Sequence, residues 1–399
     1  MMLRGVLAAL MLVGATFGLA NAQTSIKIGV LNDQSGPLAD FGGSGSVEAA
    51  KMAIEDFGGN VLGKPIEIVS ADHLNKPDLA ATIARKWFDA DGVTAIADLT
   101  NSAVALAVQG LARERGKIAL LTGPGTDRLI NEDCSPTGFL WTFDTAGLAR
   151  GVASAVVREG GDSWYLLVAD YAFGHQMSKQ LNQVVTASGG RILGQSVHPV
   201  NTSDFASQLL AAQASKAKVV GLANAGSDTT TSLKQAAEFG LIEGGQKLVG
   251  LVIVLSDVDA LGLDRAQGLV TTQAFYHDLN DATRAWSQRY YERTKRMPGQ
   301  IQASTYSAVL HYLRAVAAAG TADGKTVADK MRTTTVDDFY APGAKIRADG
   351  RLMNDQYLIQ VKRPAESKAR WDYYKVLRTI PSAEAISPAS DSKCSLMKP

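Results

Sequence analysis

The sequence predicts an α/β protein built from two doubly wound parallel-sheet lobes. From Ile26 onward, short runs rich in β-branched residues alternate with longer amphipathic stretches, the rhythm of parallel strands covered by helices. A segment dense in glycine and proline, residues 123–138, interrupts that rhythm, and the alternation then resumes. The chain of 399 residues is also longer than one hydrophobic core usually serves, so two domains are the default.

The chain opens on a leader. Arg4 is followed by an apolar or small run over residues 5–20, and Ala20-Asn21-Ala22 then precedes Gln23. These are the charged region, apolar region and small-x-small cleavage site of a secretory signal peptide, residues 1–22. Sixteen residues fall short of the roughly 20 needed to span a bilayer. Removing the leader takes Arg4 and no acid, leaving 39 basic residues against 39 acidic ones. A formally neutral chain gives no support for nucleic acid or an anionic membrane surface as partner.

In the first lobe the pattern predicts strands at 26–31, 65–71, 94–99 and 118–122, with helices at 46–57, 77–90 and 102–115. Leu79, Ile83, Trp87 and Phe88 recur at three- and four-residue spacing and read as core. In the second lobe strands are expected at 165–169, 191–197, 219–223, 247–251 and 269–272, with helices at 174–188, 204–214 and 229–239. Helical stretches at 282–295, 302–319 and 326–332 follow, and their return to the first lobe would make the chain cross between lobes more than once, as a hinge requires. The tail is rich in Ser, Ala and Pro and reads as a surface strap.

Catalytic and metal chemistry find little support. Gly43-x-Gly45 follows a strand, but Glu48 stands where a dinucleotide fingerprint needs its third glycine. The five histidines show no zinc-binding spacing, and His73, beside Asp72, reads as a solvated loop residue. No Gly-x-Ser-x-Gly elbow is present. The chain is therefore expected to be no enzyme, with no cofactor and no metal. Export would carry Cys134 and Cys394 into an oxidising compartment, which favours a disulfide over two free thiols, although spacing alone does not decide between them.

The string IKIGVLNDQSGPLADFGGSGSVEAAKMAIEDF over residues 26–57 sets a strand, Ser35-Gly36-Pro37, an aromatic Phe41 and a long helix in succession. Further on come Gly63-Lys64-Pro65-Ile66-Glu67-Ile68 running to Ala71-Asp72, Thr100-Asn101-Ser102, Gly123-Pro124-Gly125-Thr126, Asp170-Tyr171-Ala172-Phe173-Gly174 and Thr202-Ser203-Asp204-Phe205. In order and spacing these pieces closely resemble the leucine/isoleucine/valine-binding family of type I periplasmic solute-binding proteins. The resemblance implies two lobes joined by a three-strand hinge: 23–143 with 276–354 as lobe 1, 144–275 with 355–381 as lobe 2, and 382–399 as the strap. It also implies a periplasmic monomer that captures a small molecule and delivers it to an ABC permease and ATPase complex in the inner membrane. A ligand-sensing subunit of a signalling system and a secreted enzyme are the rival readings.

Ligands of open parallel sheets lie beyond the carboxyl ends of the strands, where helix N-termini present free N–H groups. Carried over by motif, the resemblance assigns Phe41, Asn101, Ser102, Gly125, Thr126, Tyr171 and Phe173 to the ligand site. Asn224 and Tyr276 join them from their places at strand ends. Where amino-acid binders of the family supply an acid for the ligand's ammonium, this chain reads Gly250-Leu251-Val252-Ile253-Val254-Leu255. An ammonium buried without a partner is costly, so an aromatic or other small carboxylate is the expected ligand. Asp33 and Asp228 keep a branched-chain or other amino acid open as the alternative.

Overall fold

A computed structural model describes residues 25–397. The expected leader, residues 1–22, lies outside the described residues. The first lobe is laid down as β1 (Ile26–Asn32), α1 (Gly43–Phe57), β2 (Asn60–Val61), β3 (Lys64–Asp72), α2 (Pro77–Asp89), β4 (Val93–Asp98), α3 (Ser102–Glu114), β5 (Ile118–Leu121) and β6 (Gly138–Leu140). Its sheet has the order β2-β3-β1-β4-β5-β6, parallel except for the β2–β3 hairpin. β4 and β5 are buried along their whole length, as parallel strands covered on both faces must be, which explains their unbroken apolar runs. α2 starts with Pro77 in its first turn and Asp78 beside it, both suited to a helix N-terminus.

The second lobe follows as α4 (Thr145–Arg158), β7 (Ser163–Ala169), α5 (Ala172–Ala187), β8 (Arg191–His198), α6 (Ala206–Ala214), β9 (Val219–Ala223), α7 (Ser227–Glu238), β10 (Lys247–Gly250), α8 (Leu255–Leu261), α9 (Leu263–Ala266) and β11 (Val270–Gln273). Four of its strands form a parallel sheet in the order β10-β9-β7-β8. β11 departs from expectation. It pairs antiparallel with β14 (Gln356–Val361), which pairs antiparallel with β15 (Tyr374–Ile380), in a separate three-stranded sheet. Local pattern marks 269–272 as a strand but says nothing of a partner some ninety residues on.

Between β11 and β14 the chain returns to the first lobe. It forms α10 (Asp281–Thr294), α11 (Gln300–Ala319), α12 (Gly324–Thr333), β12 (Lys345–Ile346) and β13 (Leu352–Met353), and ends in α13 (Ser382–Ala385). Trp286, Tyr312, Leu313 and Met331 of these helices share one core with Ile28, Ala50 and Ile118. The chain thus crosses between lobes three times, near Phe143, Phe275 and Gln356. Arg351, 1% exposed, stitches the first and third crossings. It pairs with Asp144 at 3.2 Å and donates to the carbonyls of Leu140, Trp141 and Thr142 at 3.3 Å. Asp144 in turn caps α4 by accepting from Gly147 N–H at 2.8 Å.

The tail runs back over this hinge. Arg150 of α4 donates to Ser387 Oγ and Ala385 O, Arg347 donates to Ser387 O, and Cys394 is bonded to Cys134 with the Cα atoms 5.7 Å apart. Beside the hinge sheet, Asp257 is buried in the first turn of α8 and accepts from Val254 N–H at 3.0 Å. Burial lifts its carboxyl to about 8, against the backbone hydrogen bond that favours the charge.

Two outcomes follow for stability. Reducing the disulfide, or Cys394→Ser, should lower the unfolding free energy by about 2–5 kcal/mol, read from urea midpoints of the oxidised and variant proteins. Between the unfolded value near 3.8 and about 8, the folded protein holds a proton on Asp257 that the unfolded chain releases. Stability from this group therefore falls as pH rises, by up to about 1.4 kcal/mol per pH unit. Asp257→Asn should gain on the parent steadily from pH 5 to pH 8 in parallel denaturant titrations, and a constant difference would show that Asp257 is already ionised when folded.

Candidate functional site

The first-lobe side of the site is a turn under strain. Asp98, Leu99 and Asn101 all have positive φ, 75°, 58° and 101°. Non-glycine residues adopt such backbone only where their surroundings hold it, and such positions gather at functional sites. The hold here is the buried carboxyl of Asp98, which accepts from Asn32 Nδ2 at 2.8 Å, from Thr100 N–H at 3.1 Å and from the Thr100 hydroxyl. Its backbone carbonyl accepts from Thr122 and Gly123 N–H at 3.3 and 3.1 Å. Burial pushes the Asp98 pKa up, opposed by these donors.

The turn delivers the N-terminus of α3. Asn101 Oδ1 accepts from the N–H groups of Ala103 and Val104 at 2.9 and 3.2 Å, so this residue caps the helix. Ser102 N–H, the first of the helix, has no protein acceptor among the described residues. Ser102 Oγ accepts from Thr126 N–H at 3.2 Å and Gly125 N–H at 3.4 Å, which ties two of the turns singled out in the sequence to each other. Asp33 accepts from Gly36 and Leu38 N–H, each at 2.8 Å, and from Asn75 Nδ2 at 2.6 Å. This arrangement shapes the loop that carries Leu38 and Phe41.

The second lobe contributes the start of α5. Tyr171 is its N-cap residue, and the Tyr171 and Phe173 rings lie 5.9 Å apart. Phe143, at the first crossing, completes the aromatic wall. A Cβ on Gly125 would stand 2.7 Å from the Phe143 ring and 3.0 Å from that of Phe173, so only glycine lets both rings close on this turn. Together with Ala225 and Val252 these groups enclose a cavity of about 20 Å³. Ligand-filled pockets run to roughly 300–1,000 Å³, so a solute enters only if the lobes part. Beside the first crossing, Thr145 N–H donates to Gly125 O at 2.7 Å and its hydroxyl to Asp127 Oδ1 at 2.9 Å. Farther out the lobes meet through few polar contacts. Ser227 N–H donates to Pro37 O at 3.1 Å, Ser256 Oγ to Asp40 O at 3.0 Å and Gln180 Nε2 to Asp127 Oδ2 at 2.9 Å.

Of the residues singled out in the sequence, Phe41, Asn101, Ser102, Gly125, Tyr171 and Phe173 line this cavity. Thr126, Asn224 and Tyr276 do not. Thr126 sits behind Gly125, Asn224 is buried against His198 and Thr229 inside the second lobe, and Tyr276 packs on Tyr374 with ring centres 5.2 Å apart. The strand ends that suggested Asn224 and Tyr276 carry these side chains into the core. Thr100, Leu38 and Phe143 were missed, although Thr100 and Leu38 lie beside marked residues and their motifs could have signalled them. His73, expected in solvent, is fully buried, with Nδ1 accepting from Asn75 N–H at 3.0 Å and burial lowering its pKa.

Among the described residues no charged side chain lines the cavity. Asp33 has both oxygens occupied as described, and Asp228 accepts from Asn201 and Thr202 N–H at 3.1 and 2.8 Å. Burial raises the Asp228 pKa. Both acids that might have faced a cationic ligand are spent on backbone turns. Among the described residues there is no cluster of His, Cys, Asp and Glu fit for a metal, and no helix long and apolar enough to cross a membrane.

Residues 25–369 match the family model for periplasmic binding proteins. A periplasmic binding protein of Burkholderia mallei is 47% identical, with a TM-score of 0.93 over 94% of this chain and 100% of that one. A branched chain amino acid ABC transporter periplasmic ligand-binding protein of Burkholderia xenovorans LB400 is 39% identical, with a TM-score of 0.82 over the same shares. An ABC transporter solute-binding protein of R. palustris in complex with benzoate shares the fold at 21% identity, with a TM-score of 0.81 over 93% of this chain and 99% of that one. With the family model spanning both lobes and all three crossings, the chain belongs to the periplasmic binding proteins, the non-enzymatic solute-binding components of ABC transporters.

Proposed function

We propose that the protein captures a small organic carboxylate with an aromatic or other apolar body and presents it, in the closed form, to an ABC permease and ATPase complex. The observation that carries this reading is the contrast within the cavity's lining. Part of it is the N-terminus of α3, where Ser102 N–H has no protein acceptor among the described residues and Asn101 and Thr100 stand beside it, a place where the helix dipole and unpaired donors favour an anion. The rest includes Phe41, Phe143, Tyr171, Phe173 and Val252, which offer rings, methyl groups and the Tyr171 hydroxyl and no carboxylate. An α-amino acid would bring an ammonium that no carboxylate of the lining meets, a cost of several kcal/mol when it is buried unpaired. Asp228, whose charge reaches Tyr171, is the nearby acid on which the amino-acid reading would depend, and it is engaged by Asn201 and Thr202 N–H.

Closure is the working step. The ligand docks on the α3 turn, the α5 aromatics close over it, and the equilibrium shifts by as much as the ligand prefers the closed state. Benzoate in the R. palustris protein is in keeping with such a ligand on this fold. The branched-chain name of the B. xenovorans protein favours the amino-acid reading instead, and the two are separable.

The test is a thermal-shift and calorimetric screen of the protein against benzoates, aliphatic acids, benzamide, leucine and valine. At a hundredfold its Kd a true ligand stabilises the fold by about 2.7 kcal/mol. Benzoates should shift the midpoint while benzamide and leucine do not. Phe173→Ala should weaken benzoate binding by about tenfold or more. Because Phe173 is also buried in the second-lobe core, the unliganded midpoint should fall as well, so affinities are compared at a temperature where parent and variant are both folded. A shift with leucine or valine and none with benzoates would overturn the proposal.

A further inference from the structure

Phe143 lines a second and much larger cavity, of about 550 Å³, on the hinge. One wall is a face of α4 where Gly147, Gly151 and Ser154 recur at helical spacing. Ala385 O and the Thr272 side chain pack so closely on the two glycines that a Cβ would meet them at 2.9 and 2.8 Å. Leu358 and Ile380 of the antiparallel hinge sheet stand among its other walls. The volume falls within the roughly 300–1,000 Å³ of small-molecule sites.

Its charges do not cancel. Four arginines and two acids line the cavity. Arg351 is paired with Asp144 and Arg378 with Glu384. That leaves Arg150, which donates at 2.9 and 3.2 Å to the neutral acceptors Ser387 Oγ and Ala385 O, and Arg158, which has no ion-pair partner among the described residues. The two stand eight positions apart on α4 and so about 12 Å apart along its axis, both on the cavity. Arg158 also acts on Glu384 at longer range, but four guanidinium groups against two carboxylates leave an excess of positive charge beside an apolar wall. That excess suits an anion carried on an apolar body, because guanidinium forms strong charge-assisted hydrogen bonds with carboxylate and sulfonate oxygens.

We infer that this hinge cavity is a second binding site, distinct from the cleft, for an organic anion with an apolar body. It takes its charge recognition from Arg150 and Arg158, neither of which touches the cleft cavity. Phe173 lines the cleft and not the hinge cavity, so the two sites can be switched off separately.

Anilinonaphthalene sulfonate, titrated into the folded protein and followed by fluorescence, is the probe, with octanoate as competitor. The expected result is saturable binding of one equivalent that octanoate displaces, both in the parent and in Phe173→Ala. Arg158→Gln, which leaves the strap contacts of Arg150 in place, should weaken it about tenfold with an unchanged unfolding midpoint. Ala155→Trp, which fills the groove, should abolish it. No saturable binding by the parent, parent-like binding by both Arg158→Gln and Ala155→Trp, or loss of binding in Phe173→Ala would overturn the assignment. None of these outcomes depends on which solute the cleft takes.

Discussion

The carboxyl of Asp98 lies at the end of β4 without solvent access, and three segments close around the residue: Asn32 from β1, Thr100 from its own turn, and Thr122 and Gly123 after β5 through its carbonyl. A polar group taken out of water must have its hydrogen bonds supplied, and this carboxyl takes them from the end of β1 and from its own turn, while the backbone carbonyl of the same residue engages the segment after β5. His73 stands near enough to favour the charge, while burial acts against ionisation of both groups. Satisfying Asp98 fixes the positive φ values of Asp98, Leu99 and Asn101, and these fix where α3 begins. The place of the α3 N-terminus in the cavity lining is thus a by-product of solvating one buried acid.

The hinge and the cleft are held in opposite ways. At the hinge, Arg351 and Asp144 form an ion pair with almost no exposure, and the guanidinium also bonds three carbonyls of the first crossing. Removing one partner would strand the other charge in the interior, so this joint has one acceptable geometry. Across the cleft the lobes meet by isolated hydrogen bonds from Ser227, Ser256 and Gln180. A stiff joint beside a lightly latched mouth is the arrangement that the proposed closure needs.

The alternation of strand and helix made both lobes legible, because parallel strands covered on both faces announce themselves as short apolar runs. α4 escaped notice because Gly147 and Gly151 interrupt its apolar pattern, and the same glycines let Ala385 of the strap and Thr272 of the hinge sheet pack directly on the helix. The antiparallel partnership of β11 with β14 was illegible because pairing across some ninety residues leaves no local trace. In the candidate site, turn motifs marked Ser102, Gly125 and Phe173, which line the cleft cavity, whereas Phe143 sits in a plain Thr-Phe-Asp sequence whose place there emerges only when Gly125 is seen to make room for its ring. Asn224 and Tyr276 show the converse failure. A strand end tells where the backbone arrives but not to which side the next side chain turns.

The bond between Cys134 and Cys394, 260 positions apart, makes a closed ring of everything from β6 to β15. The second lobe, the returning helices of the first lobe and all three crossings are members of that ring, while the opening five strands hang outside it. A protease that severs the backbone once inside the ring converts it into a longer open chain and frees nothing. Only a second cut, or a cut ahead of Cys134, releases a fragment, so for a protein that must repeatedly open its mouth to solvent the strap acts as insurance against being clipped apart.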